Sequence, residues 1–122
     1  MEQAKALPAV GVLAGTPWQS ELARLGFTNV KPYTSTPAMV AALVKGDVAA
    51  GYGPKIERDY AWRLGKYPGT PVVGTQIHKL EQFLAMSKDS PSIKVADWQD
   101  AFGALQQDGT FDRIYASYFG GK

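Results

Sequence analysis

The chain has no cysteine, a single histidine and no long apolar run. Without cysteine it forms no disulfide bond, no thiolate nucleophile and no cysteine metal site. Its longest apolar run, from Ala38 to Val44, is far shorter than the roughly 18 to 20 residues that a membrane span requires. The chain also lacks a large excess of positive charge. Its formal charge of +2 is spread along the chain and does not indicate nucleic-acid binding.

The residues that are present favour an ordinary soluble domain. The chain has 122 residues, of which 45% are hydrophobic and 11% aromatic, so it can bury a core, and we expect one domain over residues 1–122. The N-terminal segment from Met1 to Pro8 lacks the basic start and apolar stretch of a secretory signal. We therefore expect either a cytoplasmic protein or a leader that is not included in this chain.

Apolar runs and amphipathic stretches alternate along the first half of the chain, and two further helical patterns follow near its end. This alternation predicts the α/β class: a mainly parallel sheet with helices on both faces, followed by two C-terminal helices. The predicted strands are residues 10–14, 28–33, 48–53, 71–74 and 83–87, and the predicted helices begin near Pro17, Pro37, Pro54, Val95 and Phe111, with Thr16 and Thr110 as N-cap residues.

Three turns of one kind are expected at the carboxyl ends of the first three strands. They are Gly15-Thr16-Pro17, the segment from Thr34 to Pro37, and the segment from Gly51 to Pro54. Such turns surround one crevice in an open α/β sheet, and a helix N-terminus there suits an anion. The plain alternative for the first turn is a capped connection without a ligand, because neither common phosphate-binding glycine motif is present.

Other candidate residues point more weakly to chemistry. His78 has no serine or carboxylate at a catalytic spacing, so a connecting loop is the more natural place for it than a general base. The carboxylates form no cluster with metal-ligand spacing. Glu57, Arg58 and Asp59 fit a solvated helix face, and Trp18 fits either the core or a ligand-stacking position beside the crevice. We expect no catalytic residue, no metal and no cofactor.

Three segments in order, Val10 to Thr16, Met39 to Ala50 and Gln107 to Tyr115, carry a family resemblance. Together they resemble the type II periplasmic solute-binding proteins of the polar amino acid class. The resemblance covers the chain from about Ala9 to Gly120. It implies a non-enzymatic two-lobed clamp that closes on a small solute and delivers it to an ABC permease, in the periplasm or another extracytoplasmic space.

The same resemblance implies that only part of the clamp is present, with the first lobe and the signal peptide missing. Residues 9–75 would be the core of the second lobe, residues 76–94 the return strand and connection, and residues 95–119 the C-terminal helices that pack on the first lobe. A sensor domain of the same fold, or a lone lobe that is engineered or self-associating, stays open as an alternative. For the last, the apolar stripe on the C-terminal helices predicts a homodimer; the stripe comprises Phe102, Leu105, Phe111, Tyr115 and Phe119.

The expected ligand contacts combine the turn of Thr16, Pro17 and Trp18, which the resemblance implies, with the other turns around the crevice. Pro54 stands at or beside the position where amino-acid binders have an aspartate for the ligand ammonium, and Ala49 replaces an acidic residue. Because a buried ammonium without an anionic partner is costly, the expected ligand is a small polar or anionic solute. The expected contacts are Gly15, Thr16, Pro17, Trp18, Thr36, Tyr52 and Pro54.

Overall fold

A computed structural model describes residues 2–79, 81, 83–89, 92 and 94–120. Within these residues the fold is mixed α/β, with one three-stranded parallel sheet and six helices. It divides into an N-terminal unit, Met1–Thr75, and a C-terminal unit, Gln76–Lys122. The elements are α1 (Glu2–Lys5), β1 (Val10–Leu13), α2 (Pro17–Arg24), β2 (Val30–Tyr33), α3 (Thr36–Lys45), β3 (Ala50–Tyr52), α4 (Lys55–Leu64), α5 (Val95–Gln107) and α6 (Thr110–Phe119).

The sheet has the order β2-β1-β3, and both pairs of neighbouring strands are parallel. Val10 of β1 lies opposite Val30 on one side and Ala50 on the other. The parallel arrangement predicted from the alternating pattern is confirmed for these three strands. Because the strands are parallel, the turns that follow β1 and β3 leave the sheet at the same edge.

Two helices cover opposite faces of the sheet. On one face Val10 and Val12 pack with Leu22 of α2, and Phe27 completes this buried cluster. On the other face Met39 of α3 is buried beside Gly11. Successive residues of a strand point to opposite faces, so the small Gly11 leaves the space that Met39 fills. This packing holds α2 and α3 at fixed positions beside the sheet edge.

The helix ends follow local chemistry. The hydroxyl of Ser35 accepts a hydrogen bond from the amide of Ala38, which caps the N-terminus of α3. Gly46 ends the same helix with φ 82°, and its amide donates to the carbonyls of Ala42 and Leu43. Thr16 precedes α2 as predicted, but its hydroxyl donates to the carbonyl of Leu13 at 2.6 Å and does not cap the helix.

The strands predicted at residues 71–74 and 83–87 are wrong, because neither segment is a strand in the structure. A short apolar run becomes a strand only where another strand supplies hydrogen-bond partners. Pro71 and Gly74 also weaken the first run as a strand. Val72 is 96% exposed and Phe83 is 82% exposed. The predicted connection over residues 76–94 includes residues 80, 82, 90, 91 and 93, which lie outside the described residues.

The C-terminal unit contains α5 and α6, and both helices were predicted from their apolar spacing. Their contact includes Phe102 and Phe111, whose rings meet edge-on with centroids 5.5 Å apart. The predicted cap at Thr110 is wrong, because Gly109 is the N-cap residue and Thr110 is already helical. The Thr110 amide donates to the Asp108 carboxylate at 2.8 Å, and this bond lowers the pKa of Asp108.

Helix length and hydropathy also bear on membranes. Within the described residues, none of the helices combines the length and the apolar character needed to traverse a lipid bilayer.

Candidate functional site

A shallow cleft lies in the N-terminal unit where β1 and β3 end. It is open to solvent, and the space in which the centre of a water molecule fits is about 10 Å³, room for roughly one ordered water. One side is largely apolar and the other carries the charged side chains of α4, so the cleft offers both kinds of contact to a small molecule. Its lining comprises Leu13, Trp18, Thr36, Met39, Gly51, Tyr52, Gly53, Pro54, Glu57 and Arg58.

Trp18 and Tyr52 form the aromatic wall of the cleft. Their ring centroids are 6.2 Å apart and the ring planes meet at 87°, an edge-on contact. The hydroxyl of Tyr52 donates a 2.6 Å hydrogen bond to Oε2 of Glu21. Burial, the hydrogen bond to Glu21 and the charge of Glu21 together raise the pKa of Tyr52, in that order of size. The wall therefore carries a neutral phenol at every physiological pH.

The charged side of the cleft comes from the first turns of α4. Nε and Nη2 of Arg58 donate to Oδ1 of Asp59 at 3.3 and 3.0 Å, and Lys55 pairs with the other oxygen of the same carboxylate. The Arg58 side chain is only 14% exposed. Thr36 donates a long hydrogen bond of 3.4 Å to Glu57. Arg58 is thus a largely buried cation held in place by Asp59 beside an apolar wall.

Four of the seven residues predicted to touch a ligand line this cleft. They are Trp18 in the first turn of α2, Thr36 at the start of α3, Tyr52 at the end of β3 and Pro54 just before α4, and they converge at one edge of the sheet. These four residues therefore share one location, and their role in ligand contact stays a prediction.

The turn before α2 lies outside the lining of the cleft. The amide of Gly15 donates to the side chain of Gln19 at 2.9 Å, and the Thr16 hydroxyl donates to Leu13. Pro17 has no amide hydrogen to offer. The polar groups of this turn are therefore largely engaged within the chain, and its predicted role as the anion-binding turn stays a prediction.

Sequence reasoning overlooked three charged residues of this region. Glu57 and Arg58 were interpreted as a solvated helix face, although they follow directly on the predicted turn from Gly51 to Pro54. Their place in the sequence could have indicated a role in the cleft, because the start of a helix that follows a strand lies at the same edge of the sheet as the loop between them. Glu21 gave no signal, since its partner Tyr52 lies 31 positions away.

Histidine and the carboxylates are the residues that would carry metal or acid–base chemistry in this chain. Among the residues that the structure describes, no group of three or more histidine, aspartate or glutamate side chains has the geometry to hold a metal ion. His78 is exposed and lies in a segment without regular secondary structure. The cleft instead presents an arginine, an aromatic wall and a threonine hydroxyl, which suit noncovalent binding.

Comparison with protein-family models, with curated proteins and with solved structures gives no match for this chain.

Proposed function

We propose that this chain binds a small polar or anionic solute in the cleft at the ends of β1 and β3. The observation that carries the proposal is the convergence of Trp18, Tyr52 and Arg58 on one cleft. Ligands of open α/β sheets bind at this edge of the sheet. An arginine of low exposure suits an anion because its guanidinium keeps its charge and presents several fixed donors.

The wider role that we propose is that of one lobe of an extracytoplasmic solute-binding protein. In this proposal the cleft is half of a clamp, a second lobe closes over it, and the closed complex delivers its solute to an ABC permease. The cleft is shallow and open to solvent, which fits half of a site better than a complete one. A sensor domain that closes in the same way is the nearest variant of this role.

Isothermal titration calorimetry tests the binding step. Succinate, citrate, benzoate and glucose are titrated into the chain and into Arg58→Gln. We expect an anion to bind with a Kd of about 1 mM or tighter, equivalent to roughly −4 kcal/mol, and to lose most of that affinity in the variant. Absence of heat with all four solutes, or equal affinities in both proteins, would refute anion binding at Arg58.

A second candidate function is self-association through α5 and α6. Neither helix has a buried residue, although both carry large apolar side chains. Exposed apolar surface of this extent is typical of interfaces, and a second copy of the chain would cover it. The exposed side chains include Trp98 at 46%, Phe102 at 48%, Ile114 at 50% and Tyr118 at 49%.

A further inference from the structure

We infer that Glu21 is a positioning residue of the cleft, which holds the aromatic wall of Trp18 and Tyr52 in place without touching the ligand. The inference rests on the proposed function and extends it to a residue outside the lining. Glu21 lies on α2, and its side chain is 14% exposed. It acts on the cleft through the hydroxyl of Tyr52, which belongs to β3.

The hydrogen bond between Glu21 and Tyr52 joins α2 to β3, which also meet in the edge-on contact of Trp18 with Tyr52. Its length is 2.6 Å, and the two residues are 31 positions apart in the chain. A hydrogen bond to an ionised carboxylate is stronger and more directional than one between neutral groups. Arg24 lies 3.5 Å from the other carboxylate oxygen of Glu21. The carboxylate is thus restrained on one side by Arg24 and restrains Tyr52 on the other.

Trp18 belongs to the same set of contacts. It lies three residues before Glu21 on α2, so the two side chains occupy neighbouring positions on one helix face. The Trp18 ring meets the Tyr52 ring edge-on, and such a contact depends on the orientation of both rings. When the Tyr52 ring turns, the surface that Trp18 presents to the cleft changes with it. Glu21 therefore controls the orientation of both aromatic residues.

The same bond decides what the phenol offers to a ligand. A tyrosine hydroxyl has one proton, and in this structure that proton is directed at Glu21. Tyr52 then contributes its ring and an acceptor oxygen, and it donates nothing to an anion. The donor to an anion is left to Arg58, whose Nη1 has no protein partner among the described residues. Glu21 in this way directs an anionic group away from Tyr52 and towards Arg58.

The first experiment needs no ligand. The indole N–H resonance of Trp18 is followed by NMR after assignment with single Trp→Phe variants. We expect Glu21→Ala and Tyr52→Phe to shift it alike, and Glu21→Gln to restore it because the amide oxygen still accepts the phenol proton. Glu2→Ala, which removes an exposed glutamate paired with Lys5, is the matched control and leaves the resonance unchanged. An unshifted resonance in both Glu21→Ala and Tyr52→Phe overturns the inference.

The second experiment measures the affinity for benzoate, an aromatic carboxylate that uses both the wall and Arg58. Glu21→Ala and Tyr52→Phe should each weaken binding by about threefold to tenfold, as for the loss of one hydrogen bond. The double variant should bind no more weakly than either single variant, because one interaction is removed only once. The inference is overturned if the double variant loses the product of the two single losses in affinity. It is also overturned if Glu21→Gln does not restore the affinity for benzoate.

The two experiments separate this inference from the proposed function. If wild-type protein does not bind benzoate, the proposed function fails for aromatic carboxylates, while the positioning role is decided by the Trp18 resonance alone. If Glu21→Ala does not fold, Tyr52→Phe carries both measurements, since it removes the phenol donor and keeps the ring.

Discussion

Met39 of α3 lies directly against the backbone of Gly11 in β1. A Cβ atom at Gly11 would stand 2.9 Å from Cγ of Met39 and 3.3 Å from Cε2 of Tyr33. Both distances are shorter than ordinary packing contacts, and Met39 is buried. The central strand therefore depends on glycine at this position, and the cleft depends on the central strand.

Gly11→Ala should lower the free energy of unfolding by about 1–3 kcal/mol, the usual cost of overpacking a filled core. Chemical denaturation measures the change. The matched control is Gly103→Ala in α5, where a Cβ meets nothing within 4 Å. That variant should gain roughly 0.5–1 kcal/mol from helix propensity. Equal changes in the two variants would contradict the close packing of Met39 on Gly11.

Ser35→Ala should cost about 1 kcal/mol because it removes the side-chain cap of α3. The hydroxyl accepts from the amide of Ala38 at 3.2 Å, and the alanine variant leaves that amide without this partner. Thermal and chemical unfolding report the loss. Ser20→Ala, at an exposed position inside α2, is the control and should change stability by less than about 0.5 kcal/mol. A similar loss at Ser20 would argue against a capping role for Ser35.

Arg58→Gln should weaken succinate binding by about tenfold or more, because it removes the charged donor of the cleft. Folding should be nearly unaffected, since Asp59 keeps its partner Lys55. Arg63→Gln, on the exposed side of the same helix, removes the same charge away from the cleft. Calorimetry compares the two. If Arg58→Gln and Arg63→Gln weaken succinate binding equally, the net charge of the protein attracts the anion, and a local contact with Arg58 is contradicted.

The raised pKa of Tyr52 predicts a loss of stability in alkali. Because the folded protein favours the neutral phenol, this contribution is fully present below the unfolded pKa of 10.0. It is lost as the pH rises above that value towards the higher pKa of the folded state. The difference in stability between wild type and Tyr52→Phe, followed from pH 7 upwards by denaturation, should shrink above about pH 10. A constant difference would contradict the shift.

The self-association proposed for α5 and α6 predicts a mass that grows with protein concentration. Phe102→Ser combined with Tyr115→Ser should return the chain to a monomer, because both side chains are large, apolar and exposed. Light scattering after size-exclusion chromatography measures the mass. Val72→Ser, which also removes an exposed apolar side chain, is the control and should leave the mass as in wild type. A monomeric wild type at millimolar concentration would exclude the dimer.

Local sequence features predicted most of the regular structure. The helices after β1, β2 and β3 begin next to Pro17, Pro37 and Pro54, and α3 ends at Gly46. These residues act within one turn of chain, because proline sets φ and glycine accepts the left-handed conformation wherever they occur. The same is true of the spacing that predicted α5 and α6.

The failures concern interactions between distant residues. The apolar runs at 71–74 and 83–87 have strand-like composition, but composition does not supply a neighbouring strand. Glu57 is exposed, as a solvated helix face predicts, whereas the Arg58 side chain is only 14% exposed, in a helix that packs against α3. Sequence also places Thr16 before a helix without revealing that its hydroxyl turns back to Leu13.

Short-range pattern and chain connectivity thus suffice for the α/β class, the parallel direction of the first three strands and the turns at their carboxyl ends. The order of the strands in the sheet and the set of side chains that form the cleft follow from the packing of the elements. The Tyr52–Glu21 bond and the placement of Arg58 join residues from different elements. Such contacts depend on how the elements pack, and no local pattern in the chain encodes that packing.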